Sequence, residues 1–455
     1  MRFSPPEEAI SIYNDGFNED LLGRKAVGQS LSDLLERIED PLVVVLDGRW
    51  GAGKTHFLQR WVGAHRLQFG GRAETVYFDA FAHDFLEDPL IALVGAIAER
   101  MPRQQKTKVE RVKRLALKVW RPAARIGLSA ATFGATEVFG DLGDAVAEAV
   151  GSEASKAVDE FWKKEEDRRS AMAEFQNAIA SLMAADQAND NEPRPLVIVI
   201  DELDRCRPDY ALQILEIIKH FFSVQRLHFV LGVNLKALEN SVKARYGADL
   251  NATLYLQKFI SVTFGLPEVL GVNGESTAPL TFAEHMGPKM GIPSRWLSTV
   301  SGHVKVVSKT NEVSIRDVSR VLSRISLMPK KYLEGNILSG WAEVAVTLLV
   351  SKEVRPDLYG KFVASTVTDE ELAEYFGATP EKLTQRVDGS YSDKYEHDVF
   401  WRYLTWQFIT RDGKMKSDEN LEGLTRTLST HGHVYNPREL PKNIQRDWLD
   451  LFRTA

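Results

Sequence analysis

Three stretches of the chain are unbroken runs of apolar and β-branched residues, each too short to be a typical helix. They are PLVVVLD at 41–47, PLVIVID at 195–201 and LHFVLGVN at 227–234. A strand covered on both faces reads as a continuous apolar run, whereas a half-exposed strand alternates apolar and polar residues. The pattern therefore predicts the strands of a buried parallel sheet.

Elsewhere apolar residues recur three and four positions apart, as they do on one face of a helix. Phe57, Leu58, Trp61 and Val62 form such a face directly after the first run, and the helical pattern dominates from about residue 275 onward. An aromatic stripe near the C-terminus has helical spacing, which we interpret as core packing: Trp401, Tyr403, Trp406 and Phe408. The predicted fold class is α/β, with a parallel-sheet core, a helical insertion and a helical C-terminal region.

A strongly basic segment follows the first part of the core. Residues 103–125 contain nine Lys or Arg residues and one acidic residue, Glu110. The whole chain has a net charge of −6, so the residues outside this segment carry about −14. The segment is therefore a local basic patch in an acidic chain. The run from Arg103 to Arg125 can bind nucleic acid, an anionic membrane surface or the chain's own acidic face. The sequence leaves these three alternatives open.

The apolar stretch after this segment is interrupted by four acidic residues at spacings of four, three and four: Glu137, Asp141, Asp144 and Glu148. Each carboxylate costs about 2.5–3.5 kcal/mol near the centre of a bilayer, so we expect an amphipathic helix and no transmembrane insertion. The helical pattern continues to about residue 184, which predicts a helical arm.

These patterns divide the 455 residues into four parts. Residues 1–100 and 191–270 form the predicted core, 101–190 the insertion arm, 271–340 a helical lid and 341–455 a C-terminal helical domain. The chain has one cysteine, Cys206, and no signal-peptide pattern at its start. We therefore expect a cytoplasmic protein, with peripheral membrane association as an open alternative.

A glycine-rich turn joins the first apolar run to the first helical face. It reads Gly48, Arg49, Trp50, Gly51, Ala52, Gly53, Lys54 and Thr55, and matches G-x-x-x-x-G-K-[ST] at every fixed position. Glycines let backbone N–H groups close around phosphate oxygens, and the following helix directs its positive end at them. Lys54 is predicted to reach the β- and γ-phosphates, and Thr55 to ligate Mg²⁺. We expect these eight residues and His56 to contact the nucleotide.

The second apolar run ends in Asp201 and Glu202, at the edge of the sheet where ligands bind in α/β folds. Hydrolysis of a magnesium-bound triphosphate needs one carboxylate for the metal and a base or positioner for the attacking water. Asp201 suits the first role and Glu202 the second. The chain has no N-K-x-D motif for guanine, so the expected cofactors are ATP and Mg²⁺.

Six separated blocks together resemble the KAP family of P-loop NTPases. They are GRWGAGKT, VIVIDELDRCRP, FVLGVNLKALENSV, YLQKFISVTFGLP, YNDGFNEDLLGRKAVGQSLSDLL and VYFDAFAHDFLEDPLIALVGAI, and they cover roughly residues 10–330. The resemblance implies a parallel P-loop core of the type with an additional catalytic glutamate.

The resemblance also implies roles for polar residues outside the two motifs. Asn234 corresponds to a sensor of the γ-phosphate or the attacking water, although a helix N-cap is an equal and compatible interpretation. Arg316 corresponds to a family arginine, although the proline of that family motif is absent here, and Arg316 and Arg320 can equally form a solvated basic face. Arg205 is a further candidate for an arginine finger, or it can pair with Asp204 or Asp209.

The sequence thus predicts a Mg²⁺-dependent ATPase that acts as a molecular switch on an unidentified partner protein or within a homo-oligomer. The family resemblance extends the hypothesis to bacterial defence against phage. The alternative is a nucleotide-gated scaffold at a membrane surface or on nucleic acid, with negligible turnover.

Overall fold

The computed structural model describes residues 1–6, 9–86, 88–119, 166–167, 169–184, 193–221, 223–270, 276–378, 394–414, 419–429 and 436–450. The predicted amphipathic helix around 126–151 lies outside these residues. The last six residues of the basic segment, 120–125, lie outside them as well.

The centre of the fold is a parallel sheet whose five described strands lie in the order β2-β3-β4-β1-β5. The strands are β1 (Val43–Asp47), β2 (Glu74–Asp79), β3 (Leu196–Asp201), β4 (Leu227–Val233) and β5 (Val262–Gly265). All three apolar runs form strands, and β3 and β4 are buried along their whole length. The register pairs Asp201 with Asp79 on one side and with Gly232 on the other, so the carboxyl ends of the strands meet at one edge.

The helices of the core alternate with these strands. They are α1 (Lys25–Arg37), α2 (Lys54–Leu67), α3 (Ala80–His83), α4 (Pro89–Arg100), α5 (Lys106–Val119), α6 (169–183), α7 (Pro208–His220), α8 (Leu235–Tyr246) and α9 (Ala252–Gln257). A two-stranded hairpin of β6 (Val269–Leu270) and β7 (Ser276–Thr277) leads out of the core.

The C-terminal region is helical in all its described elements after this hairpin. The helices are α10 (Ala278–Met290), α11 (Ser294–Val307), α12 (Ile315–Ser326), α13 (Lys330–Leu333), α14 (Ser339–Val354), α15 (Pro356–Ala364), α16 (Asp369–Phe376), α17 (Lys394–Thr410), α18 (Glu419–Leu428) and α19 (Leu440–Ile444), followed by a π-helical turn, Gln445–Leu449.

Two apolar clusters cover the two faces of the sheet. One contains Val44, Leu46 and the buried face of α2, including Trp61. The other contains Val43, Val45 and the buried faces of α4, α5, α6 and α7. The described ends of the insertion, α5 and α6, therefore pack on the core.

A third apolar cluster holds α10–α19 together, with Trp296 and Trp406 among its fully buried side chains. The prediction that the aromatic stripe packs in a core is confirmed, because Tyr403, Trp406 and Phe408 are buried and Trp401 packs against them. Since one cluster spans these helices, the predicted lid and C-terminal domain pack as one helical body. The domain boundaries themselves stay a prediction.

The predicted fold class is confirmed. The sheet is parallel, helices flank it, and the C-terminal region is helical.

Candidate functional site

The glycine-rich turn runs from the end of β1 to the start of α2, which begins at Lys54. Gly51 and Gly53 have φ angles of 87° and 85°, a left-handed conformation that side chains rarely adopt. A Cβ at Gly53 would lie 2.7 Å from Nη1 of Arg24, and a Cβ at Gly51 would lie 2.5 Å from Cβ of Arg316. Both glycines are thus required by backbone angle and by close neighbours.

Lys54 folds back over this turn. Its ammonium group donates hydrogen bonds to the carbonyl oxygens of Gly48 and Arg49. Burial lowers the pKa of Lys54, while Asp204, Asp201 and Asp47 act in the opposite direction.

Asp201 lies at the end of β3 with 1% of its surface exposed. Its carboxylate accepts hydrogen bonds from the Tyr77 hydroxyl at 2.9 Å, from the Glu202 N–H at 2.9 Å and from the Thr55 hydroxyl. Burial raises the pKa of Asp201 to about 6 in spite of these donors. Hydroxyl and carboxylate oxygens are the ligands that Mg²⁺ takes, so the contact between Thr55 and Asp201 fits a magnesium site.

Glu202 follows in a left-handed conformation, with φ of 58°. Strained non-glycine backbone of this kind is concentrated at functional sites. Its carboxylate forms an ion pair with Arg205 at 2.8 Å, which is a different partner from those weighed for Arg205 on sequence. Asp204 instead accepts a hydrogen bond from Nε1 of Trp50 at 2.6 Å, so the glycine-rich turn and the acidic strand are directly connected.

Asn234 caps α8. Its side-chain oxygen accepts a hydrogen bond from the Ala237 N–H at 3.4 Å, and the adjacent Leu235 N–H donates to Asp47 at 2.9 Å. The N-cap interpretation is therefore confirmed. The sensor role of Asn234 stays a prediction.

Arg316 lies in the first turn of α12, which Ser314 and Asp317 begin with a reciprocal capping box. Burial lowers the pKa of Arg316, and the nearby guanidinium groups of Arg205 and Arg320 act in the same direction. Arg320 pairs with Glu353 at 3.1 Å. Because Arg316 lies against Gly51, it contacts the glycine-rich turn from the C-terminal helical body.

Two cavities flank the glycine-rich turn. The larger, of about 650 Å³, has the candidate catalytic and metal-binding groups in its wall: Trp50, Gly51, Gly53, Lys54, Thr55, His56, Asp201, Glu202, Arg205 and Arg316. The smaller, of about 230 Å³, lies between the turn, the segment after β5 and the α11–α12 connection, and its wall includes Gly48, Arg49, Ala52 and Lys54. Lys54 lines both cavities. The structure thus brings the P-loop residues, Asp201, Glu202 and Arg316 together, and leaves Asn234 out of both described walls.

Sequence reasoning missed two residues of this site. Arg24, 4% exposed, donates to the carbonyl oxygens of Ala52 at 2.7 Å and Gly53 at 3.1 Å, and burial lowers its pKa to about 10. Tyr77 donates to Asp201 from the neighbouring strand, and burial raises its pKa far above the usual range. Neither residue lies within either motif, so no local spacing pointed to them.

A family model, the KAP family P-loop domain, matches residues 24–325. The chain belongs to the KAP family of P-loop NTPases. The predicted family membership is confirmed, and nucleotide binding is the common property of such a domain. No match was found among curated proteins.

Among solved structures, the chain is similar to the ORC2 protein of Aeropyrum pernix in ADPNP–ADP complexes, with 13% identity, a TM-score of 0.34, and 97% of this chain and 96% of that chain covered. The ADP form of the same protein is 12% identical, with a TM-score of 0.34, and the match covers 93% of this chain and 86% of that chain. The structure of Drosophila ORC bound to DNA is 12% identical, with a TM-score of 0.30, and the match covers 89% of this chain and 85% of that chain. None of the described helices of this KAP protein is long and apolar enough to cross a membrane.

Proposed function

We propose that this KAP protein is a Mg²⁺-dependent ATPase that works as a molecular switch. One observation carries the proposal. Lys54, Thr55, Asp201 and Glu202 come from two distant parts of the chain and line one cavity. A phosphate-binding turn, a metal-binding pair and a further carboxylate are the parts that phosphoanhydride hydrolysis requires.

Each residue has a role that follows from its position. Thr55 and Asp201 would hold Mg²⁺, which supplies neutralisation of the phosphate charge when bound. Lys54 would exchange its backbone acceptors for phosphate oxygens. Glu202 would orient and deprotonate the attacking water after leaving Arg205, and Arg205 and Arg316 are the candidate cations for the charge that develops on the γ-phosphate.

The switch rests on contacts between the glycine-rich turn and the helical body. Arg49 forms ion pairs with Glu312 at 2.5 Å, just before α12, and with Glu268 at 3.5 Å, just after β5. Arg316 lies against Gly51 from the same side. A triphosphate in the turn would compete for these cations and so change the position of α12. The controlled partner is a protein or a second copy of the chain, and defence against phage is a setting suggested by family analogy alone.

The first experiment measures phosphate release from ATP together with ATP binding. Wild type, Lys54→Ala and Glu202→Gln are compared, with and without Mg²⁺. We expect Lys54→Ala to lose both activities and Glu202→Gln to bind ATP without releasing phosphate. Wild type that binds ATP and releases no phosphate, with or without DNA and anionic vesicles, would refute turnover. Loss of phage protection in Lys54→Ala would be required by the defence role.

A second candidate function is supported by the outward face of α5. Val109, Val112 and Leu115 face the core, and the opposite face exposes four cations: Lys106, Arg111, Arg114 and Lys118. Arg103, in the turn before α5, is exposed as well. Within the described residues, the ion pairs of α5 are limited to Lys113 with Glu110, so the option of pairing with the chain's own acidic face finds no support there. This face favours the alternative of a nucleotide-gated scaffold on an anionic surface.

Binding to duplex DNA and to phosphatidylserine vesicles tests this second function. Arg111→Gln, Arg114→Gln and Lys118→Gln combined are compared with Lys219→Gln, Lys243→Gln and Lys414→Gln combined, which make the same charge change at exposed sites elsewhere. If α5 is the contact, only the first variant weakens binding, and the salt dependence of DNA binding becomes shallower. Equal weakening in both variants would contradict a specific surface.

A further inference from the structure

Tyr77 joins the helix that follows the glycine-rich turn to the acidic end of β3. Its hydroxyl donates a hydrogen bond to Oδ2 of Asp201 at 2.9 Å and accepts one from Nε2 of Gln59 at 3.3 Å. Gln59 lies on α2, four residues after Thr55, so the two side chains project from the same face of that helix. Asp201 is therefore connected to α2 by two routes, of which one is direct through Thr55 and the other passes through the Tyr77 hydroxyl.

Tyr77 is itself held at both ends. Its backbone N–H donates a hydrogen bond to the Tyr13 hydroxyl at 3.1 Å, and its ring packs against the apolar cluster that contains Trp61. In the parallel register Tyr77 pairs with Val199, so its side chain lies on the same face of the sheet as Asp201, two residues further along β3. A side chain fixed in this way has few other rotamers open, and its hydroxyl is a well-defined donor.

The second oxygen of the Asp201 carboxylate is fixed as well. Oδ1 accepts a hydrogen bond from the Glu202 N–H at 2.9 Å, and it occupies the space beside Gly232, where a Cβ would lie 2.5 Å from it. One oxygen thus has a backbone donor, and the Tyr77 hydroxyl holds the other. Without that hydroxyl, Oδ2 loses this donor and the carboxylate is freer to rotate.

Hydrogen-bond partners of this kind determine how well a carboxylate binds a metal. They fix the orientation of the ligating side chain, and their removal typically lowers metal affinity by about 10- to 100-fold. Asp201 and Gln59 belong to the described wall of the larger cavity and Tyr77 does not, so Tyr77 acts from behind the carboxylate. Any effect of Tyr77 on a metal therefore passes through Asp201.

We propose that Tyr77 is a positioning residue, which fixes the Asp201 carboxylate for a divalent metal and links it through Gln59 to α2. The inference rests on the proposed function, because it assumes Mg²⁺ at Thr55 and Asp201. It goes beyond that function by making the metal affinity depend on a residue of β2 that lies outside both motifs. It also implies that loss of the Tyr77 hydroxyl weakens metal-dependent nucleotide binding and spares metal-free binding.

The test measures the affinity of the full chain for ADPNP, a non-hydrolysable analogue of ATP. Calorimetry gives the dissociation constant in EDTA and in saturating Mg²⁺, and the first divided by the second is the metal enhancement of binding. Loss of the free-ion EPR signal of Mn²⁺ measures metal binding to the complex with ADPNP, independently of any turnover. A purely structural role of Tyr77 would change neither readout selectively.

Tyr77→Phe removes only the hydroxyl. Tyr375→Phe is the matched control, because Tyr375 is a fully buried tyrosine of the helical body whose hydroxyl lies 3.2 Å from Nε2 of His303. Gln59→Leu is measured alone and together with Tyr77→Phe, since the pair forms a double-mutant cycle.

We expect Tyr77→Phe to lower the metal enhancement about tenfold, to weaken Mn²⁺ binding to a similar degree and to leave the ADPNP affinity in EDTA unchanged. Tyr375→Phe should equal wild type in all three quantities. Gln59→Leu should lower the enhancement less than Tyr77→Phe does. The double variant should be no weaker than Tyr77→Phe alone, because both changes act through the same hydrogen-bonded route.

Four results would overturn the proposal. They are a wild-type metal enhancement in Tyr77→Phe, an equal loss of ADPNP affinity with and without metal in that variant, the same fall in Tyr375→Phe, and additive losses in the double variant. Wild type that binds no ADPNP, or binds it equally in Mg²⁺ and in EDTA, would instead contradict the proposed function, so the two failures are distinguishable.

Discussion

At the scale of single residues, the site depends on close approaches that few side chains tolerate. Gly53 has a left-handed backbone conformation and lies against the guanidinium group of Arg24. That guanidinium donates hydrogen bonds to two carbonyl oxygens of the turn. Such carbonyl oxygens have to point away from the phosphates for the N–H groups to point toward them. We therefore predict that Arg24 holds the turn in a conformation that suits an anion.

Gly53→Ala tests this arrangement. We expect the variant to lose ATP affinity by at least tenfold and to lower the free energy of unfolding by about 1–2 kcal/mol, because the new methyl group meets Arg24 and the backbone is strained. Calorimetry and denaturant unfolding measure the two effects.

Gly70→Ala is the control for Gly53→Ala. Gly70 also has a positive φ, of 68°, but no atom lies within 4 Å of the added Cβ. We expect Gly70→Ala to lower the free energy of unfolding through backbone strain and to leave the ATP affinity unchanged. Equal ATP affinity in the Gly53→Ala variant and wild type would contradict the role of Arg24.

At the scale of elements, the position of a titratable group along its strand decides its surroundings. Groups at the carboxyl edge of the sheet lie beside the glycine-rich turn, and groups within a strand are buried in the core. Asp201 ends β3 beside the turn, whereas His228 lies within β4 and is fully buried. His228 accepts a hydrogen bond from the Leu42 N–H at 3.3 Å, and the backbone of Ile38 contributes a second contact. Burial lowers the pKa of His228 to about 4.

The depressed pKa of His228 predicts a loss of stability in mild acid. Between pH 6.5 and about 4 the unfolded chain protonates this imidazole and the folded protein does not, so stability falls as pH falls through that window. From pH 7 to pH 5 the loss from this group is about 2 kcal/mol. Denaturant unfolding at the two pH values measures it.

His228→Asn isolates this contribution, because asparagine keeps an acceptor for the Leu42 N–H and does not titrate. The variant should lose about 2 kcal/mol less than wild type between pH 7 and pH 5. The same pH dependence in both proteins would show that His228 is not the cause.

At the scale of the whole molecule, the helical body meets the core at the glycine-rich turn. The contact uses the ion pair of Arg49 with Glu312, and it places Arg316 over Gly51. Glu268, just after β5, pairs with the same Arg49 from the core side. The two glutamates are largely exposed, with 79% and 70% of their side-chain surface accessible, so these pairs contribute little to stability. Their effect is to pair with Arg49 and to add negative charge beside the glycine-rich turn.

Glu312→Gln combined with Glu268→Gln should therefore tighten ATP binding about two- to fivefold, since Arg49 becomes available to phosphate and the repulsion is removed. Amide exchange of α12 without nucleotide should become faster. Glu334→Gln, which breaks the exposed pair with Lys330 on α13, serves as the control and should change neither quantity. Weaker ATP binding in the double variant would contradict this competition.

Local spacing determined much of what is known about the core. Three apolar runs became strands, the turn from Gly48 to Thr55 joined β1 to α2, and Asp201 and Glu202 ended a buried strand. Parallel strands place their carboxyl ends at one edge, so the turn and the acidic pair had to meet there. The capping role of Asn234 was likewise readable from its position before a helical run.

Tertiary packing decided the remaining contacts of the site. It brings together residues that are far apart along the chain, and no repeating pattern in the sequence indicates such pairs. Arg24 reaches the turn across 29 residues, Tyr77 reaches Asp201 across 124, and Trp50 reaches Asp204 across 154. The second cavity exists only because the start of α10 and the end of α11 pack beside the turn. The sequence by itself determined that a phosphate site and two carboxylates belong together, and the packing of the helical body decided what surrounds them.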